Sequence, residues 1–422
     1  MDLTTRRPWV VFIITCQLFV LSQFYRSSVA VISPWLIEEL SLRASQLGAM
    51  SAAFFYSFSA TQIPIGILLD RVGARRSMTI LSLLAVAGSL IFAWSDSYPG
   101  LVAGRVLLGV GMACNLMGTL KLLTVWFPPD RFATLTTLVV SIGTAGNLLA
   151  STPLVLLSQA AGWRMTFVLF AAINLALTIL FFFLVSDHPP GTKPDEAGYD
   201  GPSVRQILAG IGRLMSGRDY WIISLATFCR YGVFAAVQAL WAGPFLMIGL
   251  KMDKVVAGNL LLVMNLALIV GGPVWGYISD KVLGRRREVV MIGLAGLALC
   301  LASLALQGKD ANLLVLGSIF AGCGFFSSAG MIMYAHIKEL VPLDKAGAAM
   351  TGINLFTMAG AAVFLQGLGR LMQHLFPQAA MEPKAFRTAF ILCAACLGLI
   401  FFLYSRTGEP HRPPDPARTP SH

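Results

Sequence analysis

An eleven-residue pattern occurs twice in this chain, and the two copies are offset by 210 residues. The first copy, 66–76, reads GILLDRVGARR, and the second, 276–286, reads GYISDKVLGRR. The Gly, the Asp, the cation after it and the closing Arg pair keep their spacing, and each copy separates two apolar segments. Because the offset is half of the chain, the sequence predicts two similar halves, each with a charged turn between hydrophobic helices. That arrangement is typical of membrane transporters.

The composition excludes an ordinary soluble domain. Hydrophobic residues make up 56% of the chain and charged residues only 12%, whereas soluble proteins carry about 25% charged residues. About twenty consecutive apolar residues cross a bilayer as a helix. Twelve such runs lie near 9–32, 46–69, 77–95, 100–126, 133–157, 164–185, 219–248, 254–279, 288–306, 311–338, 346–371 and 385–404. We therefore predict an all-α membrane protein with twelve transmembrane helices in two pseudo-symmetric six-helix bundles.

The distribution of positive charge predicts the orientation in the membrane. With the N-terminus in the cytoplasm, nineteen Lys and Arg residues fall in cytoplasmic segments and eight in outer segments. This bias favours both termini inside, and it accounts for the net charge of +11 without a nucleic-acid partner. The first apolar run, at 8–32, is too long for a signal-peptide core and is expected to remain as a helix. We expect a multi-pass protein of a bacterial inner membrane.

A polar stretch divides the two halves. The predicted domains are a first bundle at 1–185, a cytoplasmic linker at 186–218, a second bundle at 219–405 and a disordered cytoplasmic tail at 406–422. Within the linker, the apolar spacing over 203–217 predicts a surface helix at the membrane interface. A second repeat supports the division, because PPDRFA at 128–133 and PLDKAG at 342–347 are offset by 214 residues.

Several motifs resemble those of one transporter family. The motifs are GxxxDR at 66–71 followed by Arg75 and Arg76, Arg105 with Gly109 and Gly111, WFPP at 126–129 and GWR at 162–164. They resemble the loop signature, the fourth-helix signature and neighbouring segments of the major facilitator superfamily, and the resemblance covers nearly the whole chain. It implies two bundles that rock about a central site and expose it to either side in turn. It also implies a carrier rather than an enzyme.

The resemblance further implies a gate at the cytoplasmic helix ends. In the superfamily the Asp of the loop signature pairs with cations and meets a neighbouring helix end, which helps to close the cytoplasmic side of the outward-open state. The geometry of such a cluster differs between two rigid-body arrangements. The alternative is that these cations only keep the loop in the cytoplasm. The predicted gating residues are Gly66, Asp70, Arg71, Arg75, Arg76, Arg105, Asp280, Arg285 and Arg286.

Four cations lie inside predicted helices, where a charge is costly and usually functional. Arg105 is near the outer end of the fourth helix, a position that fits a structural or a gating role. Lys121 is near the cytoplasmic end of that helix, where it could snorkel or contact cargo. Arg26 and Arg230 occupy the first helix of each half, 204 residues apart. We expect them to face each other across a central cavity, where two guanidinium groups would grip a phosphate or carboxylate.

This arginine pair resembles the organophosphate:phosphate antiporters of the superfamily, whose phosphate site uses one Arg from helix 1 and one from helix 7. The segment RYGV at 230–233 is similar to their seventh helix, whereas 238–244 departs from it. The first-helix arginine also occurs in the anion:cation symporters, which carry sugar acids and other carboxylates. The resemblance therefore implies a small anionic metabolite and leaves its head group open.

No carboxylate lies deep in any predicted helix. Proton-coupled carriers commonly keep a titratable carboxylate in the cavity, and Tyr25 stands where many carboxylate symporters have an acid. The sequence therefore disfavours cation export and acid-driven symport, and it favours anion exchange or facilitated diffusion. His336 could titrate near neutral pH, although its position also fits a polar residue at a helix end.

Polar and aromatic side chains on the same helices are candidates for orienting cargo, although each could instead bond between helices. The predicted substrate-binding residues are Arg26, Arg230, Lys121, Tyr25, Tyr231, Gln238, Trp241 and Asn354, with Tyr56, Asn115, Asn147, Asn265 and Tyr334 as further cavity residues.

The predicted function is secondary active transport of a small organic anion by alternating access, carried out by a monomer in a lipid bilayer. The chain has no Walker loop, so ATP is not the expected energy source, and no cofactor or metal is expected. The rival functions are a proton-coupled exporter of drugs or other small metabolites, a sensor on a transporter scaffold and a channel.

Overall fold

The computed structural model describes residues 3–128, 131–189, 217–308, 310–341 and 343–409. Nearly all of these residues are helical. Most of the predicted linker, its surface helix over 203–217 except the last residue, and the tail beyond 409 lie outside the described residues.

Six helical segments form the first half. They are α1 (Leu3–Ser27 and Val29–Leu40), α2 (Ala44–Val72), α3 (Ala74–Trp94), α4 (Tyr98–Trp126), α5 (Phe132–Leu149 and Thr152–Ala161) and α6 (Trp163–Leu184). The break in α1 falls at Ser28, whose hydroxyl donates back to the carbonyl oxygen of Tyr25 at 3.2 Å and so competes with the regular helical pattern. The predicted end of this helix near residue 32 is too early, because the chain continues as a helix from Val29 to Leu40 after the break.

Six further segments form the second half. They are α7 (Arg218–Gly249), α8 (Lys254–Val282), α9 (Arg286–Ala305), α10 (Leu313–Leu340), α11 (Leu343–Leu375) and α12 (Pro383–Tyr404). Three of these helices are irregular. α7 widens into π-helical turns at Val237–Trp241 and Phe245–Gly249, α8 does so at Ile278–Val282, and α10 tightens into a 3-10 turn at Ala329–Met331. Irregular turns of this kind often accompany functional sites.

The apolar helices confirm the predicted all-α membrane protein. Within the described residues, ten helices are long and apolar enough to cross a membrane, or up to twelve if α2, bent by 51°, and α5, bent by 42°, each count as one span. In α6 and α12 only 33% of the most apolar stretch is buried inside the protein, whereas 94% is buried in α7. The first two therefore present their sides to lipid, and α7 belongs to the centre of the molecule.

The two halves meet at one end of the molecule. We call the end that carries the α2–α3 and α8–α9 turns the terminal end, and the opposite one the far end. At the far end the backbones touch: a Cβ on Gly243 of α7 would overlap the carbonyl oxygen of Ala30 in α1, and one on Gly48 of α2 would lie 2.7 Å from the carbonyl oxygen of Leu365 in α11. Such approaches require glycine, and they close the far end in this structure.

Candidate functional site

Arg26 lies on the surface between the two bundles. It occupies the last turn of the first piece of α1, one residue before Ser27 and the break. Its Nη1 donates to the phenol oxygen of Tyr231 in α7 at 3.3 Å, so this hydrogen bond joins the halves. Its guanidinium carbon stands 4.9 Å from the ring centre of Phe58 and 6.0 Å from that of Phe55. The side chain therefore points into a partly enclosed aromatic slot rather than into lipid.

Arg230 has a different environment. Its side chain is buried in the second bundle, and Nη1 donates to the carbonyl oxygen of Ser327 in α10 at 2.6 Å and to the Ser327 hydroxyl at 3.3 Å. The group that meets Arg26 is its neighbour, Tyr231. The structure thus brings the predicted arginine pair to the same level of α1 and α7, but it gives the two guanidinium groups different partners.

A chain of hydrogen bonds crosses the interface next to Arg26. The hydroxyl of Ser27 donates to Oδ1 of Asn147 in α5 at 2.7 Å. The backbone carbonyl of Asn147 accepts from Nδ2 of Asn265 in α8 at 3.3 Å, and Oδ1 of Asn265 accepts from Nε2 of Gln238 in α7 at 2.5 Å. All four side chains are buried. We call these four residues the polar bridge. Because buried amides are costly unless paired, the bridge favours the closed far end.

A second polar cluster joins α10 and α11 within the second half. The phenol of Tyr334 shares a hydrogen bond with the hydroxyl of Thr357 at 2.9 Å and donates to Oδ1 of Asn354 at 3.4 Å. Tyr334 and Asn354 are partly exposed. Asn354, a predicted cargo contact, therefore retains a side-chain amide that can donate to a bound molecule.

At the terminal end of the first half, the repeated Asp pairs with a lysine of α4. Nζ of Lys121 lies 2.7 Å from Oδ1 of Asp70 and donates to the carbonyl oxygen of Leu69 at 2.6 Å. This contact fits the snorkelling alternative for Lys121 rather than cargo contact. Gly66, Arg71 and Arg76 are exposed nearby.

The second half builds its cluster differently. Arg286, at the start of α9, contacts Oδ1 of Asp280 at 2.5 Å and Oε1 of Glu339 in α10 at 2.8 Å. Arg285 instead pairs with Glu288 one turn along α9. The side chain of Arg286 is only 10% exposed, compared with 34% for Lys121. The matching motifs thus recruit cations from different elements.

Both α2–α3 and α8–α9 turns are also tied to the exit of the last helix of their half. Asp187, after α6, accepts the backbone N–H of Arg75 at 2.8 Å. Glu409, after α12, accepts the backbone N–H of Arg287 at 3.3 Å. Arg75 additionally donates from Nε to the carbonyl oxygen of Phe182. These bonds anchor the predicted gate within each bundle.

The side chains of three predicted site residues lie away from that of Arg26 and away from the two charged turns. Tyr25 is fully buried in the first bundle, where its ring packs against Phe24 and Phe167. Because successive helical residues point in directions about 100° apart, Tyr25 turns away from the surface that Arg26 reaches.

Trp241 is buried at the far end and donates from Nε1 to the carbonyl oxygen of Leu365. Arg105, predicted as a gating residue, is buried within the first bundle and donates to the carbonyl oxygen of Tyr25.

Other predicted polar residues bond between helices. Asn115 donates to the carbonyl oxygen of Leu18 inside the first bundle, whereas Tyr56 donates to Oε1 of Gln366 across the two halves. His336 is buried, with ring nitrogens that meet the hydroxyl of Tyr404 and the carbonyl oxygen of Gly408. This agrees with the reading of His336 as a helix-end residue.

Sequence reasoning missed Ser27, Phe58, Ser327 and Glu339 as participants. Serine and phenylalanine are common in membrane helices, so nothing in their spacing marks them. Glu339 carried a usable signal, since an acid at a helix end close to the predicted gate is a candidate partner for its arginines.

Comparison with known proteins agrees with the two-half construction. The sequence model of the Major Facilitator Superfamily matches this chain twice, at residues 15–240 and 223–421. Each match covers about half of the chain, and together they span nearly all of it.

The relatives are distant in sequence, and the similarity extends over most of each chain. The chain is 24% identical to the probable sulfoacetate transporter SauU of Cupriavidus necator, over 92% of this chain and 90% of that protein. It is 25% identical to the hexuronate transporter of Bacillus subtilis, over 78% and 79%. It is 24% identical to the membrane sensor protein UhpC of Salmonella typhimurium, over 84% and 83%.

Solved structures share the fold. A bacterial homologue of the human lysosomal transporter Spinster, in an inward-facing and unoccupied conformation, superposes with a TM-score of 0.75 at 15% identity, covering 95% of this chain and 97% of that one. The nucleoside transporter NupG superposes with a TM-score of 0.76 at 14% identity, covering 95% and 99%. Identities this low support the fold alone. Together with the double sequence match, they lead to one conclusion: the chain is a multi-pass membrane protein of the Major Facilitator Superfamily, a family of transporters.

Proposed function

We propose that this protein is a secondary active transporter that carries a small organic anion by alternating access. The observation that carries the proposal is Arg26, whose guanidinium stands between the bundles against Phe58 and is met by Tyr231 from the other half. A cation at this depth is costly unless it serves a ligand. Its described contacts include no carboxylate, so an incoming anion would supply the missing counter-charge.

The relatives support this class of cargo. Two of them are named as transporters of sulfoacetate and of hexuronates, which are small organic anions. Arg26 would bind the anionic head group through charge-assisted hydrogen bonds, and Tyr231 and Asn354 would orient the remainder. Arg230 would add positive potential from within the second bundle. Four of the predicted substrate-binding residues are left out of the proposed contacts, because their side chains are buried or already bonded to other protein groups. They are Lys121, Tyr25, Gln238 and Trp241.

We further propose that the terminal end faces the cytoplasm of a bacterium, so that the closed far end makes this an inward-facing state. The clusters around Asp70 and Asp280 would then separate from each other in this state and meet when the terminal ends close. The scarcity of membrane-embedded acids favours anion exchange or facilitated diffusion over proton coupling, and it disfavours the rival exporter of cations.

The test is counterflow in proteoliposomes that contain the full chain. The labelled probes are sulfoacetate, glucuronate and glucose 6-phosphate, with tetraphenylphosphonium as the cationic comparison. We expect uptake of at least one anion and not of the cation. Arg26→Met should weaken anion binding about 30-fold, because a hydrogen bond to a charged group contributes roughly 2 kcal/mol. The matched control is Arg387→Met, an exposed far-end arginine, which should transport like the wild type.

Normal anion uptake by Arg26→Met, or uptake of the cation alone, would refute the proposal. The similarity to UhpC supports one second candidate, a sensor that binds an anion without moving it. Binding by the purified protein together with absent counterflow would favour that candidate.

A further inference from the structure

Two buried arginines contact the backbone in the same way, one in each half. Arg105 of α4 donates from Nη1 to the carbonyl oxygen of Tyr25, and Arg230 of α7 donates from Nη1 to the carbonyl oxygen of Ser327, in both cases at 2.6 Å. Each carbonyl belongs to the last turn of a helical piece that ends one or two residues later, α1 before Ser28 and α10 before Ala329–Met331. Carbonyls at such ends lose regular amide partners, and a guanidinium can replace them.

The two contacts relate the halves with exchanged roles. In the first half, the arginine lies on the fourth helix, α4, and its acceptor lies on the first helix, α1. In the second half, the arginine lies on the first helix, α7, and its acceptor lies on the fourth helix, α10. The guanidinium of Arg230 fills the space beside Gly330, where any side chain would overlap it. The broken piece of α10 is therefore shaped around the arginine.

Ion pairing does not account for Arg105. Within the described part of the chain, its Nε and Nη2 have no hydrogen-bond partner, and its guanidinium carbon stands 4.7 Å from the ring centre of Phe54. A charge buried among apolar groups is expensive. Its one strong polar contact is the carbonyl of Tyr25, so the physical effect of Arg105 is concentrated on the break in α1.

That break determines where Arg26 points. The carbonyl of Tyr25 belongs to the peptide plane that leads into Arg26, and a planar peptide transmits its orientation to the next Cα. Fixing this carbonyl fixes the direction in which the Arg26 side chain leaves α1. Without the contact, the last turn before Ser28 could unwind, because helix ends fray most readily.

We propose that Arg105 is a positioning residue of the anion site: its hydrogen bond to the Tyr25 carbonyl holds the break in α1 so that Arg26 is directed toward Tyr231. The inference rests on the proposed function of Arg26. Arg230 has the corresponding role at the break in α10, two helical turns before Tyr334.

The first test measures the break without any cargo. Hydrogen–deuterium exchange of the full chain in nanodiscs is compared for wild type, Arg105→Met and Arg105→Lys. In Arg105→Met we expect the protection of residues 24–32 to fall about tenfold, with α12 unchanged. Lys retains a charge and a donor and should restore part of the protection. Unchanged protection of 24–32 in folded Arg105→Met overturns the proposal. If that variant does not fold, Arg105→Lys decides alone: a smaller loss confined to 24–32 supports the proposal and no loss there overturns it.

The second test asks whether Arg105 acts through Arg26. Sulfoacetate binding is measured for Arg105→Met and Arg26→Met, singly and combined. We expect Arg105→Met to raise the Kd about tenfold, since small misplacements of a binding group have effects on the order of 10- to 100-fold, and to have no further effect in the Arg26→Met background. An equal loss in both backgrounds overturns the proposal, because Arg105 would then act independently of Arg26. A wild type that binds no anion would defeat the proposed function, whereas the exchange measurement would still report on the break.

Discussion

Asn265 donates from its side-chain amide to the backbone carbonyl of Asn147, 3.3 Å away, and this bond joins the second half to the first. The polar bridge to which it belongs begins at Ser27, next to Arg26, and ends at Gln238, seven residues and about two helical turns beyond Tyr231. The contact that closes the far end and the candidate anion site therefore share α1 and α7. Binding at Arg26 and opening of the far end cannot be independent if these helices move as rigid pieces.

The first prediction concerns this bridge. Asn265→Leu should raise the ratio of open to closed molecules at the far end about fivefold or more, because it leaves the Asn147 carbonyl without its partner from the other half, which costs about 1–3 kcal/mol in the closed arrangement. The bond from Gln238 to Asn265 lies within the second half, so its loss affects both arrangements. The measurement is pulsed electron paramagnetic resonance between spin labels on Ser97→Cys and Asp310→Cys, which are exposed far-end positions in the two halves.

The control is Asn174→Leu. Asn174 is equally buried, but its amide donates to Ser82 within the first bundle. Asn174→Leu should lower the thermal stability and leave the distribution of distances between the two spin labels unchanged. If both variants shift the distribution alike, the effect of Asn265 is general destabilisation and not loss of an inter-bundle bond.

The second prediction concerns Gly243, where α7 touches α1. Any side chain there would overlap the carbonyl oxygen of Ala30, so Gly243→Val should force the far ends apart, at a cost of about 1–3 kcal/mol to the closed state. The same spin-label pair should report a longer mean distance. Gly398→Val is the control, since an added Cβ at Gly398 meets no atom within 4 Å. An unchanged distance in Gly243→Val would contradict the close approach of α1 and α7.

The third prediction compares the two terminal-end clusters. Arg286→Met should lower the free energy of unfolding by about 2 kcal/mol, because it removes a mostly buried cation from two carboxylates. Lys121→Met should lower the free energy of unfolding by less than about 1 kcal/mol, because the side chains of Lys121 and Asp70 are each more than a third exposed. Thermal unfolding in detergent, followed by tryptophan fluorescence, checks the order. Equal losses would mean that burial of Arg286 does not strengthen its pairing.

The fourth prediction uses two glycines at adjacent positions of the repeats, since Gly73 aligns with Leu283 and Gly284 aligns with Ala74. Gly73 has φ +90° and Gly284 has φ +66°, both in the left-handed region that favours glycine. A Cβ on Gly73 would lie 2.6 Å from Oδ2 of Asp187, whereas one on Gly284 meets nothing within 4 Å. Gly73→Ala should therefore cost about 1–3 kcal/mol and lower the Tm more than Gly284→Ala does. An equal decrease of the Tm in both variants would show that Asp187 moves aside readily and would contradict the prediction.

For the repeated motif, the sequence predicted the charged turns but not the cations that pair with their Asp residues. Equal spacing around Asp70 and Asp280 predicted two similar charged turns, and both are present. Their partners differ, with Lys121 from α4 in one half and Arg286 from α9 in the other. Spacing along the chain fixes which residues share a turn, but the cation that reaches each carboxylate depends on the distance and rotation between neighbouring helices.

The sequence by itself determined the membrane fold and its two halves. Hydrocarbon admits helices whose backbone groups are paired internally, so twelve apolar runs and two repeated motifs are sufficient to specify this architecture. Only the tertiary structure decided that Arg26 reaches Tyr231 while Arg230 turns to Ser327. Neighbouring side chains on a helix diverge by about 100°, and the rotation of each helix is set by close contacts at small residues such as Gly243. Those contacts arise between segments far apart in the chain, and no local pattern encodes them.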